Sequence, residues 1–221
     1  YGFLELFILD GVCIFFVLSG FLIGRILINI IEKKGFKWGE LLNFWIRRWF
    51  RTLPNYFLFV LILGVLSKIY IKGFPLQAIK PFLYFGQNIY KTNDSFFGES
   101  WSLSVEEWFY LSMPLLIFIF INILKLKFKK SLFVVSIFFI IFSTCLRFYI
   151  FHSAQFSEMG DYRRVVIMRM DNLMYGVIGA YISYYYLNFW LKYKNISFFL
   201  GLLLIAIWKL LSYKYPSIET F

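Results

Sequence analysis

The 221-residue chain holds two cysteines, one histidine and five prolines, and only 16% of it is charged. Cys13 and Cys145 both sit inside apolar runs. Their spacing suits neither a disulfide framework nor a metal site. A single histidine, His152, cannot build a histidine-rich centre, so no metal and no resident cofactor is expected. Acids are scarce as well: 12 Asp+Glu against 23 Lys+Arg give a net charge of +11. On a soluble chain such an excess points to nucleic acid. Here it reads as a cationic lining at the ends of membrane spans, where anionic lipid also attracts it, and no nucleic-acid partner is expected. The polarity that intrinsic disorder requires is missing too.

What the chain has instead is apolar surface. Hydrophobic residues make up 61% of it, with 30 Phe, 16 Tyr and 7 Trp, against roughly 45–50% apolar in soluble domains. A soluble globule of this size has too little interior to hide them. The expected fold is therefore all-α, a polytopic transmembrane helix bundle whose partner is the lipid bilayer. The chain opens on Tyr1 and an apolar run, without the basic n-region or small-residue cleavage site of a signal peptide. The expectation is one transmembrane domain over residues 1–221, truncated at both ends.

Crossing the hydrocarbon takes about 20 apolar residues. Six stretches are read as spans: Leu9–Ile31, Asn55–Ile71, Ser102–Leu124, Leu132–Phe151, Asn172–Trp190 and Ile196–Tyr213. The loops after spans one, three and five carry twelve basic residues: Lys33, Lys34, Lys37, Arg47, Arg48, Arg51, the four lysines of Lys125–Lys130, Lys192 and Lys194. The opposite loops carry eight: Lys68, Lys72, Lys80, Lys91, Arg163, Arg164, Arg169 and Lys214. The positive-inside rule puts the first group in the cytoplasm of a multi-pass protein of the inner (plasma) membrane.

Three polar blocks exceed what an anchor needs. In Phe44-Trp45-Ile46-Arg47-Arg48-Trp49-Phe50-Arg51-Thr52-Leu53-Pro54, helical spacing brings the three guanidinium groups toward one face of a short interfacial helix. Pro54 is expected in the first turn of span two, with Leu53 pushed out of helical geometry. Each guanidinium fork can hold two phosphate oxygens; the alternative is snorkelling anchor residues. The second block is Glu99-Ser100-Trp101-Ser102-Leu103-Ser104-Val105-Glu106-Glu107-Trp108-Phe109-Tyr110. It sets two carboxylates at a span mouth, either in a Ser104-x-x-Glu107 capping box or as ligands and orienting groups. The third, Arg169-Met170-Asp171-Asn172-Leu173-Met174-Tyr175-Gly176, opens span five. There Asp171 is read as a cap or as the surface partner of Arg169. Gly11, Ser19, Gly20, Gly176 and Gly179 offer small faces for close helix packing. His152 reads as a solvated interfacial residue.

Together with Gly11-Val12-Cys13-Ile14-Phe15-Phe16-Val17-Leu18-Ser19-Gly20-Phe21-Leu22-Ile23, these blocks, in this order, resemble the membrane acyltransferase 3 family over roughly residues 9–180. That family O-acylates surface sugars, peptidoglycan and some small molecules. The resemblance implies transfer from acyl-CoA, a co-substrate, to a hydroxyl of a carbohydrate or lipid-linked sugar. It implies acyl-CoA binding by Arg47, Arg48 and Arg51. Supporting roles fall to Glu106, Glu107, Arg169 and Asp171, and an acceptor or structural motif to Trp101, Ser102, Ser104, Tyr110 and Ser19. Cys13 stands where the family usually has an acid. The family's proposed catalytic histidine belongs to a helix upstream of Tyr1 and His152 does not match it, so the isolated chain is expected to be inactive. A polysaccharide flippase or a multispan transporter component is the rival reading, since intramembrane acids and small-residue packing suit it as well.

Overall fold

The computed structural model describes residues 11–92, 96–153 and 164–214. Among the described residues the architecture is all-helical: α1 (Gly11–Lys34), α2 (Trp38–Tyr70), a short α3 (Lys80–Leu83), α4 (Trp101–Asn122), α5 (Phe128–Phe151), α6 (Met170–Tyr185) and α7 (Leu187–Lys214). Single 3-10 turns lead into α3, α4 and α6. Among the described residues five helices are long and apolar enough to cross a membrane: α1, α2, α4 with its lead-in turn, α5 and residues Leu187–Trp208 of α7.

One end of the bundle gathers the lysines. The Asn122 side chain at the end of α4 donates to the Phe36 carbonyl between α1 and α2. Lys129 at the start of α5 lies over the Tyr185 and Tyr186 rings at the end of α6, and Tyr185 hydrogen-bonds Glu32 near the end of α1. This is the basic end. Arg163, counted on the opposite side, lies outside the described residues, and of Lys214 only the backbone is described.

Helices α1 and α6 form the centre and run parallel. Cys13 meets Asn172 near one end and Glu32 meets Tyr185 at the other. Glycine makes the approach feasible. A Cβ on Gly20 would stand 1.8 Å from the Leu173 carbonyl oxygen, and one on Gly176 would stand 1.9 Å from that of Val17. Gly24 adds a third contact, 2.9 Å from the Ala180 Cβ. Gly11, read as part of the small face, has open space instead. Around this pair, Phe16, Leu27, Phe109, Met113, Leu132 and Leu173 are fully buried. Their lipid-facing counterparts, such as Leu18, Leu22, Phe138 and Ile141, are exposed, because apolar side chains there meet hydrocarbon rather than water.

Three span expectations are corrected. Span two does not begin at Asn55: α2 runs unbroken for 33 residues from Trp38, about 50 Å at 1.5 Å per residue. The arginine block is thus part of the helix that crosses the membrane, not a separate interfacial helix. Pro54 lies inside α2 and Leu53 stays helical. The proline removes one N–H bond, toward the carbonyl of Phe50, and Phe50 is 79% exposed. Spans five and six divide at Tyr186, whose φ of −131° and ψ of 52° end α6. Lys192 and Lys194 therefore lie on α7 rather than in a loop. At 16 residues α6 reaches about 24 Å, short of the roughly 30 Å of hydrocarbon. Its neighbours α1 and α5 cover it instead of lipid.

Candidate functional site

Glu106 and Glu107 enter α4 about one and a half turns after Trp101. They are only 6% and 5% exposed, so the expected position at a solvated span mouth is corrected to one inside the bundle. Consecutive helical positions point about 100° apart, and the two carboxylates serve different neighbours. Ser19 on α1 donates to Glu106 Oε1 at 2.6 Å. Thr52 on α2 donates to Glu107 Oε1 at 2.7 Å. Both are charge-assisted geometries, short as expected for O–H to carboxylate. Ser104 forms no capping box with Glu107. It is buried and bonded to Gln87, and its hydroxyl faces the Ser100 carbonyl at 3.4 Å.

The arginine block meets the same cluster. Because α2 runs antiparallel to α4, Arg48 reaches the level of Tyr110, and its guanidinium lies 5.7 Å from that ring and 5.9 Å from the Phe44 ring. A proline explains part of this contact. Pro114 has no N–H to give the Tyr110 carbonyl one turn back, and Trp45 Nε1 donates to that oxygen instead, at 2.9 Å. Trp45 also stacks on Trp49 and meets Trp38 edge-on within α2, while its bond to Tyr110 and that of Thr52 to Glu107 fix the rotation of α2 against α4.

Two cavities flank Arg51. The first, of about 330 Å³, lies between α1 and α2; its polar wall is Lys34, Glu40, Asn43, Arg47, Arg48 and Arg51. The second, of about 320 Å³, runs along α2 from Arg51 and Thr52 past Asn55, Tyr56 and Phe59 to Phe97 and Leu103. Lys34 approaches Glu40 at 3.9 Å. Among the described residues, Arg47, Arg48 and Arg51 have no carboxylate within ion-pair distance. The spacing argument for a shared arginine face agrees with all three lining one cavity.

Asp171 is 1% exposed and neither caps α6 nor pairs with Arg169, so both readings are corrected. Its partner is Arg147 on α5: Nη2 to Oδ2 at 2.6 Å and Nη1 to Oδ1 at 3.4 Å, with Nη1 also donating to the Met168 carbonyl at 3.0 Å. Arg169 occupies the N-cap position without a side-chain cap. Sequence reasoning passed over Arg147 although its signal was present, an arginine within an apolar span. It also passed over Gln87 and Asn88, which tie the loop after α3 to Ser100, Ser104 and the Trp101 carbonyl.

Trp101, Ser102, Ser104, Tyr110 and Ser19 line neither cavity. Trp101 packs edge-on against Phe16, and Ser19 and Tyr110 hold Glu106 and Arg48 from inside. His152 is exposed at the far end of α5, its Nδ1 3.0 Å from the Phe148 carbonyl oxygen. Among the described residues no cluster of His, Cys, Asp and Glu could hold a metal ion.

Comparison with known proteins agrees with the motifs. The peptidoglycan O-acetyltransferase OatA of Listeria monocytogenes is 32% identical over 129 residues, covering 52% of this chain and 20% of that protein. A Staphylococcus aureus protein named as a candidate O-acetyltransferase is 28% identical over 189 residues, covering 78% of this chain and 30% of that protein. The chain thus spans less than a third of the length of either relative. No solved structure matches it. The family model described as an acyltransferase domain (acyltransferase 3) matches residues 7–220, and with the four motif blocks in place the chain belongs to that family of acyltransferases.

Proposed function

We propose that the protein is a membrane O-acyltransferase that moves an acyl group, acetyl as the first candidate, from acyl-CoA to a hydroxyl of a cell-surface carbohydrate or lipid-linked sugar. The observation that carries this reading is the cationic cavity: Lys34, Arg47, Arg48 and Arg51 converge on about 330 Å³, and among the described residues Glu40 is the one carboxylate on its wall. Converging guanidinium forks suit the phosphates of a nucleotide thioester. The positive-inside rule assigns the basic end to the cytoplasm, where acyl-CoA is available, and a cell-surface acceptor suits a multi-pass protein of the plasma membrane. A carbohydrate acceptor is supported by the name of the Listeria relative.

In the transfer, the acceptor oxygen bonds to the acyl carbon, the carbon–sulfur bond breaks, and the hydroxyl proton ends on the departing CoA sulfur. Negative charge develops on the acyl oxygen and calls for a positioned hydrogen-bond donor or cation there, separate from the arginines that hold the phosphates at the other end of the pantetheine arm. Glu106 and Glu107, gripped by Ser19 and Thr52, are suited to orient the group that carries the proton, as a buried acid does in a triad. The test is Arg47→Lys with Arg51→Lys in the full chain, with acetyl-CoA affinity read by titration calorimetry. Losing the bidentate forks while keeping the charge is expected to weaken binding about tenfold or more. Folded variants that bind acetyl-CoA as before overturn the phosphate role.

A further inference from the structure

The second cavity has no part in donor binding as proposed above, yet its composition is unusual for a surface of a membrane helix. Asn55 is exposed near the middle of the 33-residue α2, one turn beyond Arg51 and one turn before Phe59. An amide and a guanidinium on a face that otherwise meets hydrocarbon are costly, and intramembrane polar groups normally turn toward a polar cavity or a polar ligand. A lipid tail would satisfy neither group. Behind the groove, on α2 itself, Tyr56 is buried and held in place, and Phe97 and Leu103 face it from outside α2. The Tyr56 hydroxyl donates to the Phe82 carbonyl at 2.8 Å. Its ring stacks on Phe85 at 4.5 Å and lies nearly parallel to Phe97, 21° between planes.

We infer that this groove is the acceptor subsite and that its ligand is a carbohydrate. The inference rests on the acyltransferase reading and adds where the acceptor sits. A sugar ring presents an apolar C–H face and an equatorial rim of hydroxyls. Phe59 and Phe97 offer platforms for the face, while Asn55 donates and accepts for the rim. The groove also ends at the right place. Arg51 belongs to both cavities, and Thr52, on the wall of the second, is hydrogen-bonded to Glu107. A hydroxyl held beside Asn55 thus lies along the same helix face as the arginine that borders the donor cavity. This assignment moves the acceptor away from Trp101, Ser102 and Ser104, which line neither cavity.

Asn55→Leu and Phe59→Leu separate this role from packing, because leucine suits a lipid-facing position and neither residue is buried. Two readouts are taken on the full-length protein that carries this domain, in detergent or vesicles. One is binding of the soluble N-acetylglucosamine–N-acetylmuramic acid disaccharide, by saturation-transfer NMR without donor. The other is the pair of KM values for disaccharide and acetyl-CoA in radiolabelled acetyl transfer. Each variant is expected to keep or raise the melting temperature. Disaccharide binding should weaken, and acceptor KM rise, about tenfold for the hydrogen bonds lost at Asn55, with donor KM changing less than twofold. Unchanged acceptor binding and KM in both variants overturn the subsite, with the acyltransferase reading intact. Disaccharide binding that depends on Asn55 in a protein that does not bind acetyl-CoA overturns the acyltransferase reading and leaves the groove standing as a carbohydrate site.

Discussion

Replacing Arg147 by Met would leave the Asp171 carboxylate, whose side chain is 2% exposed, without its cation. The pair is two-pronged, with contacts of 2.6 and 3.4 Å, and the Met168 carbonyl loses its donor as well. Removing one partner of such a buried pair costs about 3–5 kcal/mol, because the survivor keeps its desolvation penalty and loses its attraction. Replacing both partners by apolar residues of similar volume is close to neutral by the same reasoning. The set Arg147→Met, Asp171→Leu and the double variant therefore has an uneven expected pattern. Arg147→Met should be lowest in stability. Asp171→Leu should lose less, because the Arg147 side chain is 30% exposed and can turn toward the headgroups. The double variant should recover to within about 1 kcal/mol of the native protein. Thermal unfolding in detergent, followed by tryptophan fluorescence, reads the series. If Arg147→Met unfolds like the native protein, or the double variant is the least stable of the three, the claim that this pair is electrostatically coupled and buried is wrong.

Gly20→Ala and Gly176→Ala should each force α1 and α6 apart, since the added carbons would stand 1.8 and 1.9 Å from backbone oxygens; about 1–3 kcal/mol or more is expected. Gly11→Ala, with nothing within 4 Å, should leave the melting temperature unchanged. Trp45→Phe removes the donor that replaces the N–H missing at Pro114 and strands the Tyr110 carbonyl, at about 1–3 kcal/mol; restoring the missing N–H with Pro114→Ala in the same chain should recover part of that loss in the same melts. Glu106→Gln keeps the shape of the Ser19 contact but removes the carboxylate charge, so acetyl-transfer kcat should fall with the KM for acetyl-CoA little changed; a raised KM with kcat unchanged would mean that Glu106 serves binding alone.

Composition and hydropathy by themselves were enough to specify a membrane helix bundle, because no other solvent accommodates 30 Phe in a chain of 221 residues. The arginine, Trp-Ser-Glu and Asp-Asn blocks were equally legible, since their spacing is local. Boundaries were harder. Leu53-Pro54 reads as a helix break, yet α2 passes through it, since the proline costs the helix a single backbone hydrogen bond. The stretch from Asn172 to Trp190 reads as one span, yet it bends at Tyr186, where α6 stops being covered by α1 and α5. Which charges meet was decided only in three dimensions. Along the chain Glu106 and Arg48 belong to opposite ends of different spans, and Arg169 is the nearest cation to Asp171. The antiparallel pairing of α2 with α4 brings the first two to one level, and the packing of α5 on α6 puts Arg147 where Arg169 was expected. Helical spacing tells which residues share a face; only the register between helices tells what that face meets.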